Sequence, residues 1–276
     1  MAKPLSKFGA SFQLKNNCNL PLVIKGSQNL KPIKFFENKG SAQCKSSVIF
    51  GGIKANGKTF IKAKKSRNHT ELLFKYLKLP IRIKKNKNFD IIEIRKVKEI
   101  KPINYNIPSD ISSSAFFIIL TALSENSSLL IKNVNINPTR VGVLTILKKM
   151  RVSIKLKNIK NYKGEKTADI FVKSSKKIKS INCTVKLNSG AIDEFLLIFL
   201  IAAKAKGTSY FKNLSELNQK ESPRLKWGAK ILSKMGVKTI TTNDSIKIYG
   251  DPNLNLKFDK KITIKKAAEL ISEGIL

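Results

Sequence analysis

Three successive stretches of this sequence carry the same order of strands and helices, and this internal repeat restricts the possible folds more than any other feature. Each copy opens with a short apolar segment and turns through small polar residues into a very apolar helix. It continues as a strand, a basic loop, an amphipathic helix and a closing strand. The copies begin at Lys31, Lys101 and Lys179, after the end of a further copy near the N-terminus. The sequence therefore predicts stacked βαβαββ units.

The same pattern predicts where the first elements of each copy lie. Opening strands are predicted where a lysine precedes a short apolar segment, at Lys31–Phe35, Lys101–Tyr105 and Lys179–Cys183. First helices are predicted where small or acidic residues precede an apolar run, with starts at Ser41–Gln43, Ser109–Ser113 and Ile192–Glu194.

The distribution of apolar residues predicts which layer is buried. The first helix of each copy is apolar almost all round, as Phe195–Leu200 of the third copy illustrates, and a helix of that kind is buried on every side. The strands instead alternate apolar residues with lysine, as in Leu130–Val134, so they should have one wet face. The expected arrangement has helices inside and sheets outside.

The formal net charge of +36 favours anionic partners. The excess is almost entirely lysine and is spread along the whole chain, so most of it fits a general use of lysine on solvated faces. A nucleic-acid-binding protein is the competing interpretation on charge alone. The sequence has no zinc-ligand spacing, aromatic RNA motif or basic base-reading helix, so nucleic acid is not the expected partner.

The basic loops and the helix starts together indicate a site for phosphorylated anions. Helix N-termini carry N–H groups and a partial positive charge, which favour phosphate. The loop before each second helix adds Arg67, Arg140, or Lys220 and Arg224. Arginine binds phosphate and carboxylate with a planar, two-pronged geometry that lysine lacks.

Six short strings in this chain resemble those of the 5-enolpyruvylshikimate-3-phosphate synthases, the 3-phosphoshikimate 1-carboxyvinyltransferases. In chain order they are Ser41–Ser46, Ser66–Glu71, Pro108–Ser113, Asn137–Arg140, Ile192–Glu194 and Lys220–Leu225. They keep the family's order at family-like spacing. The sister family of UDP-N-acetylglucosamine enolpyruvyl transferases matches these strings less well.

The resemblance implies an inside-out α/β barrel with two lobes, here both incomplete, over residues 1–104 and 105–276. The implied reaction transfers the enolpyruvyl group of phosphoenolpyruvate to the 5-hydroxyl of shikimate 3-phosphate, in aromatic amino acid biosynthesis. It implies neither a metal nor an organic cofactor. No signal peptide is visible and no apolar run approaches the roughly 18–20 residues of a membrane span, so a cytoplasmic protein is expected.

Four residues in the first lobe match the family's contacts to shikimate 3-phosphate. Ser41, Ala42 and Gln43 match its phosphate site at a helix start, and Arg67 matches a further ligand of the same substrate. The alternatives are a small polar helix cap and a solvated loop arginine.

Four residues in the second lobe match groups that handle protons or bind substrate. Asp193 matches the proton acceptor near the reacting hydroxyl, and Lys220 with Glu221 matches a lysine–acid pair acting in addition and elimination. Arg224 matches a clamp on phosphoenolpyruvate. The alternatives are a helix-capping role for Asp193, as expected of Asp110, and a surface ion-pair cluster for the other three.

Several positions depart from the family pattern. Asn68 and Pro223 stand where an aspartate is expected, Ser109 stands where a glycine is expected, and Asn218-Gln219 replace Arg-Val. Proline is compatible with the first turn of a helix, so the fold need not change.

Other family motifs have no counterpart in the chain. The opening Lys-Ser motif is missing, and residues 257–276 contain neither the histidine nor the arginine of a later Asp-His-Arg motif. The resemblance therefore covers a central stretch of the family. We expect little transferase activity from the chain alone, exposed apolar helix faces, and pairing with a complementary chain. A non-catalytic remnant, or half of a split enzyme, is the alternative.

Overall fold

A computed structural model of the chain describes residues 1–16, 19–219 and 222–254. Within these ranges the chain forms seven α-helices and twelve β-strands. It divides into two compact units: unit 1 comprises Met1–Asn106 and Asn161–Glu165, and unit 2 comprises Ile107–Lys160 and Lys166–Leu276. The division into lobes at residues 104 and 105 stays a prediction.

Unit 1 contains three helices and six strands among its described residues. The helices are α1 (Ala2–Phe8), α2 (Ala42–Gly52) and α3 (His69–Tyr76); the strands are β1 (Ser11–Lys15), β2 (Asn19–Lys25), β3 (Lys34–Glu37), β4 (Lys58–Lys64), β5 (Ile81–Lys85) and β6 (Phe89–Arg95). One sheet has the order β3-β4-β6-β5, with β3 parallel to β4, and β1 pairs with β2. Its core contains Ile49, Ile61, Phe74, Ile92 and Ile94, all at most 2% exposed.

Unit 2 repeats the architecture with four helices and two three-stranded sheets among its described residues. The helices are α4 (Ile111–Leu123), α5 (Gly142–Lys149), α6 (Phe195–Ala203) and α7 (Arg224–Lys234); the strands are β7 (Ser128–Asn135), β8 (Ser153–Tyr162), β9 (Glu165–Lys173), β10 (Gly207–Phe211), β11 (Thr239–Thr241) and β12 (Ile246–Gly250). The sheet orders are β7-β9-β8 and β10-β12-β11. The rings of Phe195, Phe199 and Phe211 pack against one another at centroid distances of 5.4–5.9 Å.

The opening strand of each copy is shorter than the sequence predicts. In the first copy it is β3, four residues long and parallel to β4. In the second and third copies the predicted strands Lys101–Tyr105 and Lys179–Cys183 do not form. Isolated parallel bridges remain: Ser109 to Val134 in the second copy, and Lys179 to Lys206 and Asn182 to Tyr210 in the third. In the second copy Pro108 precedes the bridge and lacks the N–H that further pairing requires. The parallel crossover of the repeat nevertheless survives in all three copies.

The prediction that the first helices are buried on every side is correct for α6 and wrong for α4, and it is also wrong for α2, where Phe50 is 51% exposed. Every residue of α6 is buried or half-buried. One face of α4 instead exposes Phe116, Phe117 and Leu120 by 62%, 57% and 64%. The reason is that no described residue packs closely over this face.

No helix in the described ranges is long and apolar enough to cross a membrane.

Candidate functional site

In unit 1 the loop before α2 is organised by a buried carboxylate. Glu37 is 4% exposed, and its two oxygens accept hydrogen bonds from the backbone N–H groups of Lys39 and Gly40, at 3.0 and 2.8 Å. Gly40 has φ of +80°, which glycine adopts without strain. The chain then enters α2 at Ser41, whose Oγ accepts from the N–H of Cys44 at 3.2 Å. The capping interpretation of Ser41 is therefore confirmed, and Ala42 and Gln43 lie in the first turn beside it.

The loop that carries Arg67 is tied to α2 by a buried lysine. Lys45 is 1% exposed; its Nζ lies 2.6 Å from Glu71 Oε1 and donates to the Arg67 carbonyl at 2.8 Å. The hydroxyls of Ser46 and Thr70 hydrogen-bond at 2.7 Å beside this ion pair. The structure therefore brings the first turn of α2 and the Arg67 loop together.

The neighbours of Arg67 include one buried hydroxyl and the histidine that begins α3. Ser66 Oγ is buried and has no hydrogen-bond partner among the described residues. His69 Nδ1 lies 2.6 Å from Glu165 Oε1, a residue far from it in the sequence. An unpartnered buried hydroxyl is energetically costly, so it needs an explanation such as a functional role or a bound water or ion.

In unit 2 a rigid turn places Arg140 ahead of α5. Asn137 is 1% exposed; its Oδ1 accepts from the N–H and hydroxyl of Thr139 at 2.9 and 2.8 Å. Gly142 begins α5 and donates its N–H to the Gly190 carbonyl at 3.0 Å. A Cβ on Gly142 would lie 2.6 Å from the Gly190 carbonyl carbon, so only glycine permits this approach. The contact fixes the loop that leads to Asp193.

Arg140 connects the starts of three helices. Its Nη1 donates to Asp193 Oδ2, just before α6, at 3.0 Å. Its Nη2 reaches Asp110 Oδ1, at the start of α4, at 3.4 Å, and also donates to Ser112 Oγ. Asp110 caps α4 by accepting from the Ser113 N–H at 3.0 Å, as predicted. The Arg140 side chain is 9% exposed, whereas the side chains of Asp193 and Asp110 are 23% and 54% exposed.

A fully buried carboxyl group completes this cluster. Glu194 is 1% exposed, its Oε1 accepts from the Ser112 hydroxyl, and its Oε2 has no partner among the described residues. Burial raises the pKa of Glu194 above its ordinary value. The Ser112 hydrogen bond and the Arg140 charge lower this pKa, whereas the negative charges of Asp193 and Asp110 raise it.

A second guanidinium reaches the same aspartate from α7. Arg224 is the first residue of that helix, and its Nη1 lies 3.4 Å from Asp193 Oδ1. The capping alternative for Asp193 does not describe these contacts, because its two oxygens face two arginines and the cap position of α6 is Glu194. Lys220 and Glu221 lie outside the described residues.

Comparison with known proteins decides the family. Residues 1–258 match the EPSP synthase family, 3-phosphoshikimate 1-carboxyvinyltransferase. The chain belongs to the EPSP synthase family.

Individual EPSP synthases agree with this assignment. The 3-phosphoshikimate 1-carboxyvinyltransferase of Caldicellulosiruptor bescii is 38% identical over 249 residues, which is 90% of this chain and 57% of the relative. That of Ruthia magnifica is 40% identical over 90% of this chain and 56% of the relative. The 2.37 Å structure of EPSP synthase from Acinetobacter baumannii has a TM-score of 0.78 at 35% identity, over 90% of this chain and 56% of that one.

Two facts follow for this member of the EPSP synthases. The predicted fold class, an inside-out α/β barrel of βαβαββ repeats, is confirmed by the similarity to solved EPSP synthases. The chain also spans only about 57% of the length of the curated relatives it matches.

The contacts that Arg140, Ser112 and Glu194 make in unit 2 were not predicted from the sequence. The sequence predicts an anion-binding loop at Arg140, whereas its guanidinium contacts Asp193 and Ser112; the sequence predicts no role for Ser112 or Glu194. An acidic residue directly before an apolar helix gives a signal only for capping. The buried position of Glu194 depends on packing between α4 and α6, which no local pattern specifies. The substrate roles of Ser41, Ala42, Gln43, Arg67, Asp193, Lys220, Glu221 and Arg224 stay predictions.

Proposed function

We propose that this chain supplies substrate-binding and proton-transfer groups for enolpyruvyl transfer from phosphoenolpyruvate to the 5-hydroxyl of shikimate 3-phosphate. In this proposal unit 1 contributes the site for the phosphate of shikimate 3-phosphate. Unit 2 contributes Asp193 as the proton acceptor for the reacting hydroxyl. Family membership over residues 1–258 supports the proposal.

The observation that carries the proposal is the junction between α2 and the Arg67 loop. Lys45 ties the Arg67 backbone to α2, so the guanidinium extends from a loop anchored beside the first helical turn. Helix N–H groups at Ala42 and Gln43, the Gln43 side chain and a guanidinium are the donors that a phosphate monoester prefers. Ser66 Oγ, buried without a described partner, is a further donor close in sequence.

The chemistry of unit 2 supports a proton-transfer role for Asp193. A carboxylate can accept the proton of a hydroxyl that becomes bonded to the enolpyruvyl carbon. Its side chain is 23% exposed, so a substrate hydroxyl can approach. The proposed pair Lys220 and Glu221 comes shortly before α7 in the sequence, and Arg224 of α7 would bind the carboxylate or phosphate of phosphoenolpyruvate.

A complementary chain that supplies further repeats is part of the proposal. The relatives contain about 43% of their length beyond the matched region, since this chain covers 57% of the first of them. A repeat unit buries its apolar helix face against a neighbouring unit. The exposed face of α4, with Phe116, Phe117 and Leu120, has the apolar character that such a neighbour would cover.

Calorimetric titration of the purified chain with shikimate 3-phosphate tests the proposal. We expect saturable binding that weakens about tenfold or more in Arg67→Ala, because that change removes charge-assisted hydrogen bonds to the phosphate. Arg82→Ala is the matched control, since Arg82 is an exposed arginine on β5. We expect this control to bind as the unaltered chain does.

Shikimate without its phosphate completes the test and should bind much more weakly. Absence of binding by the unaltered chain would support a non-catalytic remnant instead. Equal losses in Arg67→Ala and Arg82→Ala would indicate general attraction by the basic surface rather than a built phosphate site.

A further inference from the structure

We propose that Arg140 is a positioning residue for Asp193, and that Ser112 and the buried carboxyl of Glu194 hold the Arg140 guanidinium in place. The inference rests on the proposed function, because it assigns a role within the same reaction. It adds three residues, on α4, α6 and the turn before α5, that need not touch substrate.

The first step is the geometry of the guanidinium. Nη1 of Arg140 donates to Asp193 Oδ2, and Nη2 donates to Ser112 Oγ. Because a guanidinium is planar, fixing one edge on Ser112 also fixes the direction of the other edge. The orientation of the Asp193 carboxylate is therefore coupled to a hydroxyl on α4.

The second step is the direction of the hydrogen bonds. Ser112 accepts from Arg140 and donates its own proton to Glu194 Oε1. A serine hydroxyl has a single proton to donate, so its acceptor determines which way the hydroxyl points. Glu194 Oε1 is that acceptor, and the hydroxyl lone pairs then face Arg140.

The third step concerns the unpartnered oxygen. Glu194 Oε2 is buried and lacks a hydrogen-bond partner among the described residues. A proton can therefore bind to Oε2 without breaking a hydrogen bond. A proton on Oε2 leaves Oε1 as an acceptor, so the contact to Ser112 persists in either protonation state. If Glu194 is protonated, it carries no charge. The charged groups of the cluster are then two guanidinium groups, those of Arg140 and Arg224, and two aspartates, Asp110 and Asp193.

The fourth step is burial. The Arg140 side chain is 9% exposed and Glu194 is 1% exposed, so solvent cannot replace a lost contact. Arg224 contacts the other oxygen of Asp193 from a more exposed position, with 27% of its side chain accessible. We therefore infer that the contact of Arg140 with Asp193 stays in place, whereas the contact of Arg224 with Asp193 changes when substrate binds.

Two measurements on the purified chain test the proposal. The first is NMR of the arginine side chains: a held guanidinium gives separate Nη–H signals, whereas a rotating one gives averaged signals. We expect separate signals for Arg140 and averaged ones for the exposed Arg82. Ser112→Ala should average the Arg140 signals, whereas Glu194→Gln should keep them separate because its Oε1 still accepts from Ser112.

The second measurement is a double-mutant cycle on shikimate 3-phosphate affinity. Arg140→Gln should weaken binding about tenfold in the unaltered chain and by less than about twofold when Asp193 is already asparagine. A loss that arises from general destabilisation would be equal in both backgrounds. Arg140→Lys, which keeps the charge but not the planar fork, provides a second variant in case Arg140→Gln does not fold.

The outcomes separate this inference from the proposed function. Averaged Arg140 signals in the unaltered chain, or equal losses in both backgrounds, would overturn the positioning role. If the unaltered chain binds no shikimate 3-phosphate, the proposed function fails. The positioning of Asp193 is then decided by whether Arg140→Lys shifts the Asp193 carboxyl carbon signal: a shift supports it and an unchanged signal overturns it.

Discussion

Burial influences the protonation of Glu194 more strongly than its neighbours do. Its pKa is raised because the charged form loses solvation, even though Ser112 and Arg140 favour that form. A group whose pKa is raised on folding stabilises the fold fully below its unfolded value. That contribution is lost as the pH rises through the folded pKa. For Glu194 this loss begins above the ordinary value of 4.5.

Glu194→Gln should therefore change how stability depends on pH. The unaltered chain loses stability as the pH rises and Glu194 ionises, whereas glutamine does not ionise. We therefore expect the free energy of unfolding of the variant, minus that of the unaltered chain, to increase from acidic to neutral pH. Urea denaturation at a series of pH values measures the difference. Glu125→Gln, at an exposed loop position, should show no such trend. Parallel profiles for Glu194→Gln and the unaltered chain would contradict the prediction.

The ion pair between Lys45 and Glu71 is buried, so the stability of the fold should depend on keeping both partners. Lys45→Met leaves a buried carboxylate without its charge partner, and we expect a loss of about 3–5 kcal/mol in the free energy of unfolding. Replacing both partners, as in Lys45→Met with Glu71→Leu, should recover much of this loss. Lys75→Met on the exposed side of α3 is the control. Chemical denaturation would refute the prediction if Lys45→Met and Lys75→Met behaved alike.

At the scale of elements, close backbone contacts decide where the helix starts lie. The repeat in the sequence predicted most helices and several strands because apolar periodicity and capping residues are local signals. It did not predict β1, β5, β8 or β11; β5 and β8 are rich in lysine, as exposed loops often are, and β11 has only three residues. It also did not predict that the opening strands at Lys101 and Lys179 would be reduced to isolated bridges, because pairing depends on the neighbouring strand.

Gly142→Ala tests how strictly α5 is placed against the loop before Asp193. The added Cβ would meet the Gly190 carbonyl carbon at 2.6 Å and the Ala191 nitrogen at 2.8 Å, so backbone must shift. We expect a loss of about 1–3 kcal/mol in the free energy of unfolding despite the better helix propensity of alanine. Gly26→Ala is the control, because no atom lies within 4 Å of its added Cβ. A thermal melting temperature equal to that of the unaltered chain would contradict the close packing.

At the scale of the whole molecule, the sequence motifs predicted the family and its fold class, but not the arrangement of charges in unit 2. Local strings placed Asp193 and Arg224 on separate elements, and only tertiary packing brings both beside Arg140 and Glu194. The exposed side of α4 was likewise not predicted, because apolar composition cannot indicate which neighbour covers a helix.

That exposed face should cause association of the chain in solution. Phe116, Phe117 and Leu120 form a contiguous apolar patch on α4, and patches of this kind favour contact with another apolar surface. We expect species larger than a monomer in size-exclusion chromatography with light scattering. Phe116→Ser with Leu120→Ser should shift the chain toward the monomer, whereas Ile159→Ser, at an exposed position on β8, should not. A stable monomer of the unaltered chain would count against the prediction.

Hydrogen–deuterium exchange with and without shikimate 3-phosphate tests the central claim most directly, because it locates where the chain meets this substrate. We expect slower exchange in the first turn of α2 and in the Ser66–Thr70 loop, and around Asp193. With shikimate lacking the phosphate, the effect at α2 should largely disappear. Protection at other segments, or none at saturating shikimate 3-phosphate, would contradict the proposed binding site.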